Sequence, residues 1–284
     1  MKPVMQTPAF APDAAPAVRN LLQARILSRL FADQVGATAR LALKGGMALR
    51  VAHGSERQTK DIDLDADASL PLARAQKVVR RAVHEATGGG WLAQVVVSEP
   101  KQTGTTARWK IRGVLPDSGA ALHLTVELSF RHTIQAHEVR MVDWRPDGDG
   151  AVTARIPVYR DSVLVLSKIH ALMSPNRDAP RDVVDLYLLF QAGADIPLNE
   201  LALQIPPPPR DAVIQALWDK MEGMDDGRFR TEVLPNWTPP EATDAVPAPD
   251  WASMRLLVAE RVEAALRAAP EVAMPPGGAR RVGP

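Results

Sequence analysis

The chain contains no cysteine at any of its 284 positions. A disulfide framework, a thiolate zinc site, an iron–sulfur cluster and a cysteine nucleophile are therefore excluded. Excess charge is lacking too. Lys and Arg number 34 against 33 Asp and Glu, a formal net charge of +1, so any nucleic-acid contact has to come from a local patch rather than a polybasic arm. Long apolar runs are missing: stretches such as Leu186 to Phe190 are soon interrupted, whereas crossing a bilayer takes about 20 apolar residues. The first twenty residues hold four prolines and Asp13 but no continuous apolar core of a signal peptide. These absences predict a soluble, cytoplasmic protein with no membrane partner. Nor do the six histidines (His53, His84, His123, His132, His137 and His170) form a zinc-binding spacing with a nearby acid.

What is present divides into two parts. Apolar residues recur at helical spacing from Val18 to about Gln34, and a short apolar run, Leu41 to Leu43, then meets Lys44-Gly45-Gly46. A second helix is expected from Met47. Lys60 to Asp65 alternates acidic and apolar residues, the period of a strand with one apolar face. An amphipathic helix is expected over Pro71 to Ala86, and strands over Leu92 to Ser98, Ala107 to Leu115 and Ala121 to Phe130. Two further strands, Glu138 to Trp144 and Val152 to Tyr159, flank a turn at Pro146 to Gly150. From Arg160 onward the period is helical: Val163 to Met173, Val183 to Phe190, Ile214 to Met221, a Pro/Asp/Gly-rich connector up to Asp250, and Trp251 to Ala269. Of 25 prolines, thirteen follow Ile205, and Pro206 to Pro209 suggests a polyproline II spacer. The expected organisation is an α+β domain over 17–159, with a mixed sheet and flanking helices, then a helical domain over 160–270. Residues 1–16 and 271–284 are expected to be flexible tails.

The chemistry concentrates between Lys44 and Asp65. Asp61 and Asp63, two apart on a strand, point to one side with Cα atoms about 6.6 Å apart. Hard carboxylate oxygens at that separation suit one or two divalent cations, and Mg²⁺ is normally completed by substrate phosphates. A glycine pair opening a helix turns backbone N–H groups toward a phosphate. Strand, glycine turn, helix and Asp-x-Asp strand, in that order, resembles the core of the nucleotidyltransferase fold shared with DNA polymerase β. Nucleotidyl transfer calls for a third carboxylate, and Glu127, on the polar face of a well-alternating strand, is the candidate. Asp65, one further step along the acidic strand, is better placed for a supporting role.

The stretch LALKGGMALRVAHGSERQTKDIDLDAD resembles the signature of the AbiEii/AbiGii nucleotidyltransferase toxins, and VLSKIHALMSPNRDAPRDVVDLYLLF resembles the same family's second block. The resemblance implies that Lys44, Gly45, Gly46, Arg57, Thr59 and Asp185 serve nucleotide binding, that Asp61 and Asp63 hold Mg²⁺, and that Lys168 reaches the phosphates. It also implies a role for Asp182, as an ion-pair partner that orients Lys168 or Arg181. Met47 occupies a position where the family frequently has Thr, so backbone contacts there have to suffice without a side-chain hydroxyl.

The implied function is that of a type IV toxin. NMP would pass from an NTP to an RNA acceptor, with a tRNA 3′ end foremost, inhibiting translation and growth, and a cognate antitoxin would be the partner. Acceptor contacts are expected from Arg74, Lys77, Arg80 and Arg81 on one helix, or from Arg108, Lys110 and Arg112 along one strand face. Two alternatives stand beside this: transfer to a protein or small-molecule hydroxyl, and a non-catalytic nucleotide-binding protein.

Overall fold

A computed structural model describes residues 15–32, 40–55, 57–116, 118–145, 153–204, 210–237 and 250–271. The chain divides into two units, one running up to Arg160 and including 236–241, the other built from the remainder.

The first unit holds helices α1 (Ala15–Phe31), α2 (Gly45–His53) and α3 (Leu72–Thr87) and strands β1 (Leu41–Lys44), β2 (Asp61–Ala66), β3 (Ala93–Gln102), β4 (Thr106–Val114), β5 (Ala121–Ser129), β6 (Val139–Trp144) and β7 (Ala154–Tyr159). The strands form one mixed sheet in the order β3-β4-β5-β2-β1-β7-β6. β2 runs antiparallel to β1 and parallel to β5, which is antiparallel to β4. The alternation read from the sequence sets the two faces. Ile62, Leu64, Trp109, Ile111, Leu122, Leu124, Val126 and Leu128 are all buried on one side, and each such side chain contributes roughly 1.5–3 kcal/mol by leaving water. Asp61, Asp63, Thr125, Glu127, Arg108 and Lys110 occupy the other, because paired residues on neighbouring strands project to the same side.

Some boundaries differ from those expected. α2 begins at Gly45, so the glycine pair is part of the helix instead of a turn before Met47. β3 continues past Ser98 to Gln102 through a register shift between Ser98 and Lys101. Pro100 lies in that irregular stretch, consistent with its missing N–H being tolerated on an edge strand at a bulge.

The second unit is helical: α4 (Asp161–Met173), α5 (Pro180–Gln191), α6 (Leu198–Gln204), α7 (Arg210–Gly223), α8 (Asp226–Glu232) and α9 (Trp251–Ala268). α8 falls within the stretch read as a connector. It forms because Asp225 caps it, accepting from the Arg228 N–H at 2.8 Å. Trp251 opens α9, stacks on Phe229 with ring centroids 4.8 Å apart and donates its indole N–H to the Met224 carbonyl at 2.9 Å. Among the described residues no helix is long and apolar enough to cross a membrane. The turn at 146–150, the polyproline stretch 206–209 and the tail beyond 271 lie outside the described residues.

Candidate active site

β1 ends at Lys44 and the chain turns directly into α2, which brings Gly45 against β2. The register pairs Lys44 with Asp63. Gly45 has φ +69°, and a Cβ placed on it would lie 2.7 Å from Asp63 Oδ2. Only glycine meets both conditions without strain. A Cβ on Gly46 would collide with the Arg57 guanidinium and come within 3.3 Å of the Thr59 Cβ. The two glycines thus admit a carboxylate on one side and a buried guanidinium on the other.

Arg57 is buried, donates to the Gln58 carbonyl at 3.3 Å and bridges to Trp237 as an isolated antiparallel pair. The Gln58 N–H donates to the Asn236 carbonyl at 2.6 Å. The loop entering β2 is therefore fixed from a distant part of the chain. Thr59 is buried, and its hydroxyl accepts from the Asp61 N–H at 3.3 Å. From α1, Gln23 donates to the Thr59 carbonyl at 2.9 Å. Arg19 lies one turn before Gln23. Burial lowers its pKa and the nearby Asp61 charge opposes that shift, while its buried Nε meets no hydrogen-bond partner. Sequence reading missed Arg19 and Gln23, because about forty residues separate them from the acidic strand.

Asp61 and Asp63 project from the same face of β2, both half-buried. Glu127 stands level with Asp63 on β5. Arg108 on β4 is level with Glu127 in turn, donating through Nε to Oε2 at 2.7 Å. The proposed third carboxylate is thus next to the pair and is held by a cation. Among the described residues no group of three or more His, Asp or Glu gathers closely enough to hold a metal ion. The donor set of Asp61 and Asp63 nonetheless fits Mg²⁺, which takes one or two carboxylates and keeps its remaining positions for water and substrate phosphates.

Lys44 and Asp65 form a separate pair. The Lys44 ammonium lies 2.5 Å from Asp65 Oδ1, and the Tyr159 hydroxyl donates to Asp65 Oδ2 at 3.0 Å. Burial, and then the adjacent Asp65 charge, push the Tyr159 hydroxyl far above its ordinary pKa, so it remains a donor. Lys44 therefore directs its charge to the buried carboxylate of Asp65.

In the second unit, Lys168 on α4 pairs with two acids of α5, Asp182 at 3.1 Å and Asp185 at 2.7 Å. Both carboxylates are fully enclosed, at 1% and 0% exposure. Arg177, from the link between the helices, donates to both oxygens of Asp182, Nε at 2.6 Å and Nη2 at 3.0 Å. Of the two partners that the sequence offered Asp182, Lys168 pairs with it, whereas Arg181 is exposed and its place is taken by Arg177. Burial works to raise the Asp182 pKa, yet the hydrogen bonds from Arg177 and the Lys168 charge outweigh it and hold the group below the usual carboxylate range. Lys220 of α7 fastens the same link by donating to the carbonyls of Leu172, Ser174 and Arg177 at 2.7, 2.6 and 2.5 Å.

Comparisons with known proteins bear on the fold and the family. The fold is similar to that of JHP933 from Helicobacter pylori, at 18% identity over 92% of this chain and 95% of that one, with a TM-score of 0.56. It is similar also to MenT4, the nucleotidyltransferase toxin Rv2826c from Mycobacterium tuberculosis H37Rv, at 16% identity over 91% and 86% of the two chains, with a TM-score of 0.55. No curated protein matches in sequence. The family model described as nucleotidyl transferase AbiEii toxin, type IV toxin–antitoxin system, matches residues 25–269. The chain is accordingly a nucleotidyltransferase belonging to the AbiEii toxin family.

Proposed function

We propose that the chain transfers a nucleoside monophosphate from an NTP to a hydroxyl of RNA, with the 3′ end of tRNA as acceptor, in a Mg²⁺-dependent reaction in the cytoplasm. The observation that carries this reading is the placement of the Asp61 and Asp63 carboxylates beside the glycine pair that opens α2. The acceptor oxygen attacks the α-phosphorus, the bond from that phosphorus to the bridging oxygen breaks, and pyrophosphate leaves. Mg²⁺, when held by Asp61 and Asp63, supplies charge stabilisation for the attacking and leaving oxygens. Gly45 and Gly46 let the start of α2 approach the triphosphate. Arg57 and Thr59 hold the loop that carries Asp61, and Glu127, steadied by Arg108, takes the proton of the acceptor hydroxyl. Lys168 is held by Asp182 and Asp185 of its own unit. Blocking the tRNA 3′ end arrests translation and growth, and a cognate antitoxin relieves the arrest.

Transfer of α-³²P label from each of the four NTPs to total RNA and, separately, to protein tests the reading. Label in the tRNA band supports it. Label confined to protein, or to neither pool, contradicts it.

A further inference from the structure

The carboxylate face of the sheet extends beyond the reacting groups, and its charge changes sign as it does so. Moving outward from β2, Asp61 is level with Thr125 of β5, Lys110 of β4 and Ser98 of β3. Asp63 is level with Glu127, Arg108 and Lys101. One step beyond Asp61, His123 is level with Arg112 and Val96. Arg108, Lys110 and Arg112 thus stand about 6.7 Å apart along β4, two strand spacings or roughly 9.5 Å from the acidic strand.

Two features set this row apart from an ordinary solvated strand face: its cations stand evenly spaced along a sheet, and they are level with the acidic strand. Lys101, Lys110 and Arg112 are exposed and, among the described residues, make no ion pair. His123 beside them is exposed, as is the aliphatic Val96 at 57%. By contrast, the opposite face of the same strand is filled by Trp109 and Ile111. Unneutralised cations on a rigid, evenly spaced row attract a polyanion. A positively charged track that follows a phosphodiester backbone is the usual means of holding a single strand without reading its sequence.

We infer that Lys110 and Arg112, with Lys101, form a backbone track for a single-stranded RNA segment whose 3′ hydroxyl is thereby presented to Asp61 and Asp63. This deepens the proposed function and rests on its RNA acceptor. Each cation contacts a phosphate and none reads a base, so the track is tolerant of sequence.

The experiment measures fluorescence anisotropy of the full chain with a 5′-fluorescein single-stranded RNA at several salt concentrations. It compares wild type, Lys110→Ala plus Arg112→Ala, and Asp61→Asn plus Asp63→Asn, with α-³²P transfer to RNA read in parallel. Both cations are exposed, so circular dichroism of the double variant should match wild type. The expected result is an affinity about tenfold or more weaker for the cation variant, with the salt slope reduced by about 1.4 for two lost contacts. The Asp variant should bind the RNA as wild type does while transferring nothing. Unchanged affinity and slope in the cation variant overturn the track, and so does a wild type that binds no RNA. Label entering RNA in those cases leaves the proposed function standing. Track-dependent binding with label only in protein supports the surface and contradicts the RNA acceptor.

Discussion

Gly45 and Asp63 are built around each other: the glycine has φ +69°, and a methyl group on it would sit 2.7 Å from the Asp63 carboxylate oxygen. Gly45→Ala therefore meets two penalties, a left-handed backbone costing roughly 1–2 kcal/mol and displacement of Asp63. The expected outcome is a chain that folds with a lowered melting temperature and has lost most of its pyrophosphate release. Calorimetry and a pyrophosphate assay check it, and full turnover in the variant would contradict the assigned role of the close approach.

Lys168→Ala removes the ammonium that faces two enclosed carboxylates. Breaking a buried pair from one side costs about 3–5 kcal/mol because the remaining charge is left without its counter-ion. Arg177 still holds Asp182, so the lower end of that range is expected. Urea unfolding measures it, and Lys168→Arg should recover part of the loss.

The same cluster sets a pH dependence. The Asp182 pKa is held below its ordinary value in the fold, so its stabilising contribution is present above the unfolded value near 3.9 and is lost as pH falls through the folded value. Stability should decline below about pH 4, and Asp182→Asn should flatten that decline while lowering stability at pH 7. Denaturant melts from pH 2 to 7 provide the comparison.

Tyr159→Phe deletes the hydroxyl that donates to Asp65 and leaves Lys44 in place. A hydrogen bond to a charged group is worth roughly 1.5–3 kcal/mol. The variant should lose that much in urea unfolding, with NTP KM within about twofold of wild type, since the Lys44–Asp65 ion pair remains in place. A large change in KM would instead tie Lys44 to the nucleotide.

Much of this was legible in one dimension. The period of two in β2 and β5 put Asp61, Asp63 and Glu127 on polar faces before any pairing was known, and Lys44-Gly45-Gly46 marked the strand-to-helix junction. What stayed hidden depends on pairings between distant segments. That Glu127 carries Arg108, that Asp65 takes both Lys44 and the Tyr159 hydroxyl, and that Arg19 and Gln23 come close to Asp61 and Thr59 follow from strand register and helix docking. No local pattern encodes them. The choice of Arg177 over Arg181 for Asp182 is of the same kind, because helical phase turns Arg181 outward while the link returns Arg177 to the carboxylate. α8 was obscured by a composition of Asp, Gly and Arg that also suits a loop, and its cap at Asp225 was the overlooked signal.

Under the proposed function, Asp61 and Asp63 perform metal-dependent nucleotidyl transfer. The most direct measurement is label transfer by wild type and by Asp61→Asn plus Asp63→Asn across a Mg²⁺ titration, with melting temperatures recorded alongside. Loss of several kcal/mol of charge stabilisation predicts a fall of about 10³-fold or more, no recovery at high Mg²⁺, and a fold that remains intact. Transfer that persists in the folded double variant, or that is insensitive to chelation of the metal, would contradict the account.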